Sequence, residues 1–156
     1  MAVKPIPEGY RTATPYLSVA GASEAIDFYK KAFGAVERYR LADPGGRVMH
    51  AEFMIGDSIL MISETCPEMG GFDPKALGGS PVTLHLYVED ADATIAQAVN
   101  AGATLVKPVV DQFYGDRSGV VKDPFGHSWN VGTHVEDVTP EEMGTRFAEM
   151  MAKVPA

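Results

Sequence analysis

The chain contains a single cysteine, Cys66, in 156 residues. One thiol cannot form an intrachain disulfide, so a reducing compartment and a cytoplasmic location are expected. Nothing near Cys66 in the sequence resembles a base that would lower its pKa, so reactive-thiol chemistry is unsupported. Long apolar runs are missing too; none approaches the roughly 18 residues of a membrane helix. Met1 to Tyr10 is Pro-rich and polar, without the apolar core expected of a secretion signal. Positive charge is scarce: 13 Lys and Arg face 21 Asp and Glu, a net charge of −8. That balance argues against nucleic acid and an anionic membrane as partners, though a local basic pocket for a small anion stays compatible. The Gly-rich stretches have no Gly-Lys-Ser or Gly-Lys-Thr ending, and no Gly-x-Ser-x-Gly elbow occurs. Phosphate-loop and serine-nucleophile chemistry are therefore unsupported.

What is present is a repeat. Leu17-Ser18-Val19, Ala22, Ile26 and Gly34-Ala35 return as Leu86-Tyr87-Val88, Ala91, Ile95 and Gly102-Ala103, at spacings of 69 and 68. Gly56-Asp57-Ser58-Ile59-Leu60 answers Gly126-His127-Ser128-Trp129-Asn130 at a spacing of 70. So long a period is one supersecondary unit used twice.

Each copy reads as β-α-β-β-β. Alternation marks strands at 13–19 and 82–88. Ser23 is a candidate cap for a helix that stops at Gly34, and Asp90 or Asp92 for one that stops at Gly102. Gly56-Asp57 signals a hairpin. The expected fold is α/β (α+β): two tandem modules forming a curved mixed sheet around a cleft, with helices outside. A single domain spans 1–156, with the first module at 12–64, a Gly- and Pro-rich linker at 65–81 and the second module at 82–134. A C-terminal helix over 138–153 is capped by Thr139, with Pro140 in its first turn. Its apolar residues Met143, Phe147, Met150 and Met151 fit either a homodimer contact or packing on its own domain.

One face of each module must meet its helix and be apolar. The opposite faces then line the cleft: Thr14, Tyr16, His50, Glu52, Leu60, Ile62 and Glu64 from the first module, Thr83, His85, Tyr87 and Asn130 from the second. Val48 falls on the same side as His50. The assignment assumes regular strands.

These segments resemble the vicinal oxygen chelate superfamily, which includes glyoxalase I, bleomycin-resistance binding proteins and extradiol dioxygenases. The residues that carry the resemblance are Pro15-Tyr16-Leu17-Ser18-Val19, Ala25-Ile26-Asp27-Phe28-Tyr29, Ala32-Phe33-Gly34-Ala35, His50-Ala51-Glu52, Ile55-Gly56-Asp57-Ser58, Gly115-Asp116-Arg117 and Asp123-Pro124-Phe125-Gly126-His127-Ser128-Trp129. The chain is most similar to the glyoxalase-like branch associated with phosphonate operons, over residues 12–135. The resemblance implies small-molecule binding and a homodimer. Metal-dependent members place ligands at the positions of Thr14, Leu60, Thr83 and Asn130. None of these is His, Glu or Cys, so the standard metal site is missing.

Two functional readings of the cleft follow, beside that of a module with no chemistry. In one, no cofactor is held, and Thr14, Tyr16, Thr83, Tyr87, Tyr114, Arg117 and Asn130 bind a small organic molecule through stacking and hydrogen bonds. In the other, a divalent metal is relocated to His50, His85 and Glu52 or Glu64, supporting a lyase, isomerase or dioxygenase. His50, His85 and Glu52 are the candidate catalytic groups, each equally at home as a hydrogen-bonded residue of a half-buried face. Arg117 suits an anionic ligand or a structural pairing within its loop.

Overall fold

A computed structural model describes residues 3–153. The first module comprises β1 (Tyr16–Val19), α1 (Ala22–Phe33), β2 (Val36–Ala42), β3 (Val48–Ile55) and β4 (Ser58–Glu64). The second comprises β5 (Thr83–Tyr87), α2 (Ala91–Ala101), β6 (Thr104–Asp111), β7 (Asp116–Lys122) and β8 (Ser128–His134), followed by α3 (Pro140–Ala152). The strands form two four-stranded mixed sheets, β1-β4-β3-β2 and β5-β8-β7-β6. In each, the first strand runs parallel to the last and the rest pair antiparallel. Among the described residues no helix is long and apolar enough to cross a membrane.

Capping follows local chemistry with one exception. Asp90 accepts from the Ala93 amide at the start of α2, and Thr139 from the Glu142 amide at the start of α3. At α1 the expected cap, Ser23, instead accepts from Arg40. The cap position is Gly21, whose φ of 88° is left-handed. Its N–H and that of Ala22 donate to the two carboxylate oxygens of Glu64 at 2.8 and 2.9 Å. A carboxylate arriving from β4 thus does what a local serine hydroxyl would have done.

Both modules share one core. Leu17, Val19, Ala51, Phe53, Leu60 and Ile62 of the first sheet pack in one cluster with α1 and α2 and with Val121, Trp129 and Val131 of the second. The helices lie side by side, with the Gln97 amide of α2 donating to the carbonyls of Lys31 and Ala32 at the end of α1. Tyr29 stacks on Phe53 of its own sheet and meets Trp129 of the other, with ring centroids 5.2 Å apart in both cases.

Four residues leave the face expected of them. Glu64 is not on the cleft side, because it caps α1. Leu60 and Ile62 lie in the core, 3% and 0% exposed. Strand pairing gives the reason. Tyr16 pairs with Met61, and its counterpart His85 pairs with Asn130, so Met61 rather than Leu60 is the mate of Asn130. Aligning Gly56-Asp57-Ser58 with Gly126-His127-Ser128 ignored that the β3–β4 turn is shorter than the β7–β8 loop. A one-residue offset reverses every side chain of a strand. Val48 likewise turns into the core, 1% exposed. Leu41 pairs with His50 and Ala42 with Val48, so Met49 is an extra residue in β3 and the alternation slips there.

Candidate functional site

The two sheet faces turned away from the helices carry the polar chemistry. On the first, the Tyr16 hydroxyl lies 2.9 Å from His50 Nδ1, and His50 Nε2 is 3.5 Å from Glu52 Oε1. Arg38 Nη1 approaches the second Glu52 oxygen at 3.8 Å. A hydrogen bond from Tyr10, and then the nearby His50 and Arg38, hold the Glu52 carboxyl below the usual carboxylate range, against the opposing effect of burial. Tyr16 pins its hydroxyl on His50 while the residue stays 53% exposed.

The second face is built in the same manner from different residues. Tyr87 donates to Asp116 Oδ2 at 2.9 Å, and the residue is 67% exposed. Asp116, 3% exposed, also holds His134 Nδ1 at 2.8 Å, and the other His134 nitrogen meets Asp137 at 3.0 Å. The hydrogen bond to Asp116, then that to Asp137, raises the His134 pKa above the ordinary histidine value. The hydrogen bond to Asp116 also raises the Tyr87 pKa. The His85 and Tyr87 rings stand 4.4 Å apart. Asn130 lies beside His85 in the strand pairing, and its buried Oδ1 has no partner among the described residues. Thr83 is exposed at the strand start. Tyr114 is half-buried in the adjoining turn, edge-on to Phe113 at 5.2 Å.

A cleft of about 890 Å³ joins the modules, between the turn at Ile55–Ser58 and the side chains of His85, Tyr87, Glu89 and His134. A smaller cavity of about 160 Å³ in the same seam brings Thr14 and His85 together with Leu60 and Trp129. His50 and His85 stand on different sheets. Arg117 is turned to the helix side. Its guanidinium holds both Asp92 oxygens at 2.6 and 2.9 Å and Asp111 at 3.0 Å, a structural pairing that reaches beyond its own loop to α2 and β6. Sequence reasoning missed Tyr10, Arg38 and the pairing of Asp116 with Tyr87 and His134. All three depend on contacts between segments far apart in the chain, for which period and spacing carry no signal.

The positions that would hold a metal present Thr14, Thr83 and Asn130, with Met61 in place of Leu60 once the true pairing is used. This donor set does not fit a divalent ion. Among the described residues no group of three or more His, Cys, Asp or Glu is placed to hold one.

A sequence profile of the Glyoxalase/Bleomycin resistance protein/Dioxygenase superfamily matches residues 12–131. The chain belongs to this superfamily. It is 47% identical over 133 residues to the uncharacterized protein Rv0887c of Mycobacterium tuberculosis, covering 83% of this chain and 78% of that one. The crystal structure of the At5g48480 gene product of Arabidopsis thaliana superposes with a TM-score of 0.63 at 32% identity, over 78% of this chain and 98% of that one. A PhnB protein from Bacillus cereus shares the fold, with a TM-score of 0.61 at 18% identity over 79% and 99%.

Proposed function

We propose that this superfamily member binds a small organic molecule on the polar faces of its two sheets, a second copy of the chain closing them into a cavity, with no metal at the standard positions. The observation that supports this best is the paired arrangement of Tyr16 on His50 and Tyr87 on Asp116. Each tyrosine is more than half exposed while its hydroxyl is tied down. A fixed, exposed aromatic face is a preorganised stacking platform, which reduces the ordering cost of binding. The unpartnered Asn130 Oδ1 adds an acceptor beside His85. Tyr39 and Leu41, both 52% exposed, extend the apolar surface of the first face and favour its being covered.

The relocated-metal reading has less support. It needs His50, His85 and a glutamate together, whereas the histidines lie on different sheets and Glu64 is engaged by α1.

The test is a thermal-midpoint screen of the purified chain against a chemically broad set of small molecules and divalent ions, with the mass in solution measured by light scattering. A compound that raises the midpoint with its concentration is expected. Tyr16→Ala and Tyr87→Ala should shrink that rise, and the mass should be twice the chain mass. A midpoint unmoved by every compound would overturn the binding reading.

A further inference from the structure

The segment before β1 crosses the polar face of the first sheet. Gly9 lies against Ile59 of β4, so close that an added Cβ would stand 3.5 Å from Ile59 Cδ1. The Arg38 guanidinium carbon is 5.8 Å from the centre of the Tyr10 ring. Arg11 Nη2 is 3.9 Å from Asp57 at the β3–β4 turn, and the Thr14 hydroxyl donates to the Arg11 carbonyl at 3.3 Å. Residues 5–12 thus form a strap, and between strap and sheet lies a cavity of about 550 Å³.

The chemistry of its walls is one-sided. Pro5, Ile6 and Pro7 line it from the strap and Met61 from the sheet floor, with Glu52 and Thr14 alongside. Of the charges at its border, Glu52 faces Arg38 at 3.8 Å, and Arg11 stays in solvent, 3.9 Å from Asp57. A charged ligand would lose hydration against the apolar walls, with only the solvated Arg11 at the rim to offset the loss. The volume lies in the range of drug-sized ligand sites.

We infer that the N-terminal strap closes over a neutral, mainly apolar ligand held between Ile6, Pro7 and Met61, and that Tyr10 against Glu52 and Arg38 is its latch. This rests on the reading that the first sheet face binds a small molecule, and it names the class of molecule and the segment that gates it. The latch contacts are of the surface type, so the strap can open without disturbing the sheet.

The probe is N-phenyl-1-naphthylamine, a neutral apolar dye, with its sulfonated analogue 1-anilinonaphthalene-8-sulfonate as charged counterpart. Saturable fluorescence enhancement is expected with the neutral dye, and binding at least about tenfold weaker with the sulfonate. Ile6→Asp places a charge in the roof and should weaken the neutral dye by about tenfold or more. Tyr10→Ala should speed dye dissociation roughly tenfold. Val106→Asp, on the exposed surface of β6, should change neither, which separates cavity binding from general adhesion. Circular dichroism melts establish that each variant is folded. Equal binding by wild type and Ile6→Asp, or equal loss in Val106→Asp, overturns the strap inference. If the dye fails to bind while other compounds raise the thermal midpoint, the inference falls and the binding reading stands. If no compound raises it, both fall.

Discussion

The Tyr29 hydroxyl donates a 2.7 Å hydrogen bond to Asp123 Oδ2, joining α1 of the first module to the β7–β8 loop of the second. Trp129 Nε1 donates to the same oxygen at 2.8 Å, and the amides of Phe125 and His127 donate to Oδ1 at 2.9 Å. Asp123 is 3% exposed, so these four donors offset the cost of burying its carboxylate. Burial, and then the adjacent Asp123, pushes the Tyr29 pKa well above its ordinary value. Removing one donor should cost about 2 kcal/mol in Tyr29→Phe, and removing the shared acceptor about 3–5 kcal/mol in Asp123→Ala. Urea unfolding measures both; equal stabilities would show that the joint does not hold the modules.

Glu64→Ala should destabilise by about 1 kcal/mol, since two amides at the start of α1 lose their acceptor. The loss should be the same with and without a chelator. A chelator-sensitive loss would return Glu64 to a metal-binding role.

His134 gives the fold a pH dependence of definite sign. Its folded-state pKa is raised above the ordinary value of 6.5 by Asp116 and Asp137. The stability it adds is fully present below that ordinary value and is lost as pH climbs through the raised one. The difference in thermal midpoint between wild type and His134→Gln, followed from about pH 5 to about pH 9, should be largest at the acid end and shrink upward. A difference that grew with pH would show that His134 is held neutral.

Gly115 ties the segment before α3 to the β6–β7 turn. Its carbonyl accepts from both Val135 and Glu136, at 2.9 and 3.0 Å, and its φ is 96°. A Cβ there would collide with the Glu136 carbonyl. Gly115→Ala should cost roughly 2–4 kcal/mol and free α3, whose Phe147 rests on Phe113 with centroids 5.6 Å apart. Faster amide exchange over residues 135–152 is the readout.

The polar sheet faces were legible wherever the strands are regular. Tyr16, His85, Tyr87 and Asn130 lie on the polar sides that alternation assigned them. Alternation failed where the chain adds a residue: at Met49, which turns Val48 inward, and in the β7–β8 loop, whose extra length over the β3–β4 turn misled the placement of Leu60, Ile62 and Glu64. Arg117 was ambiguous in sequence because a guanidinium serves an internal carboxylate as well as a ligand. In the fold its partners are Asp92 and Asp111.

The sequence by itself determined the duplicated β-α-β-β-β order, the Thr139 cap, a cap at Asp90 or Asp92, the stop at Gly34 and the apolar faces of β1 and β5. Each of these rests on short-range periodicity or on the bonding needs of a few neighbouring backbone groups. Tertiary structure alone decided that Glu64 caps α1, that Asp123 joins Tyr29 to Trp129, that Asp116 gathers Tyr87 and His134, and that the strap lies over Glu52 and Met61. These partners are brought together by strand register and helix packing, and a one-residue change in a loop is enough to exchange a buried position for an open one.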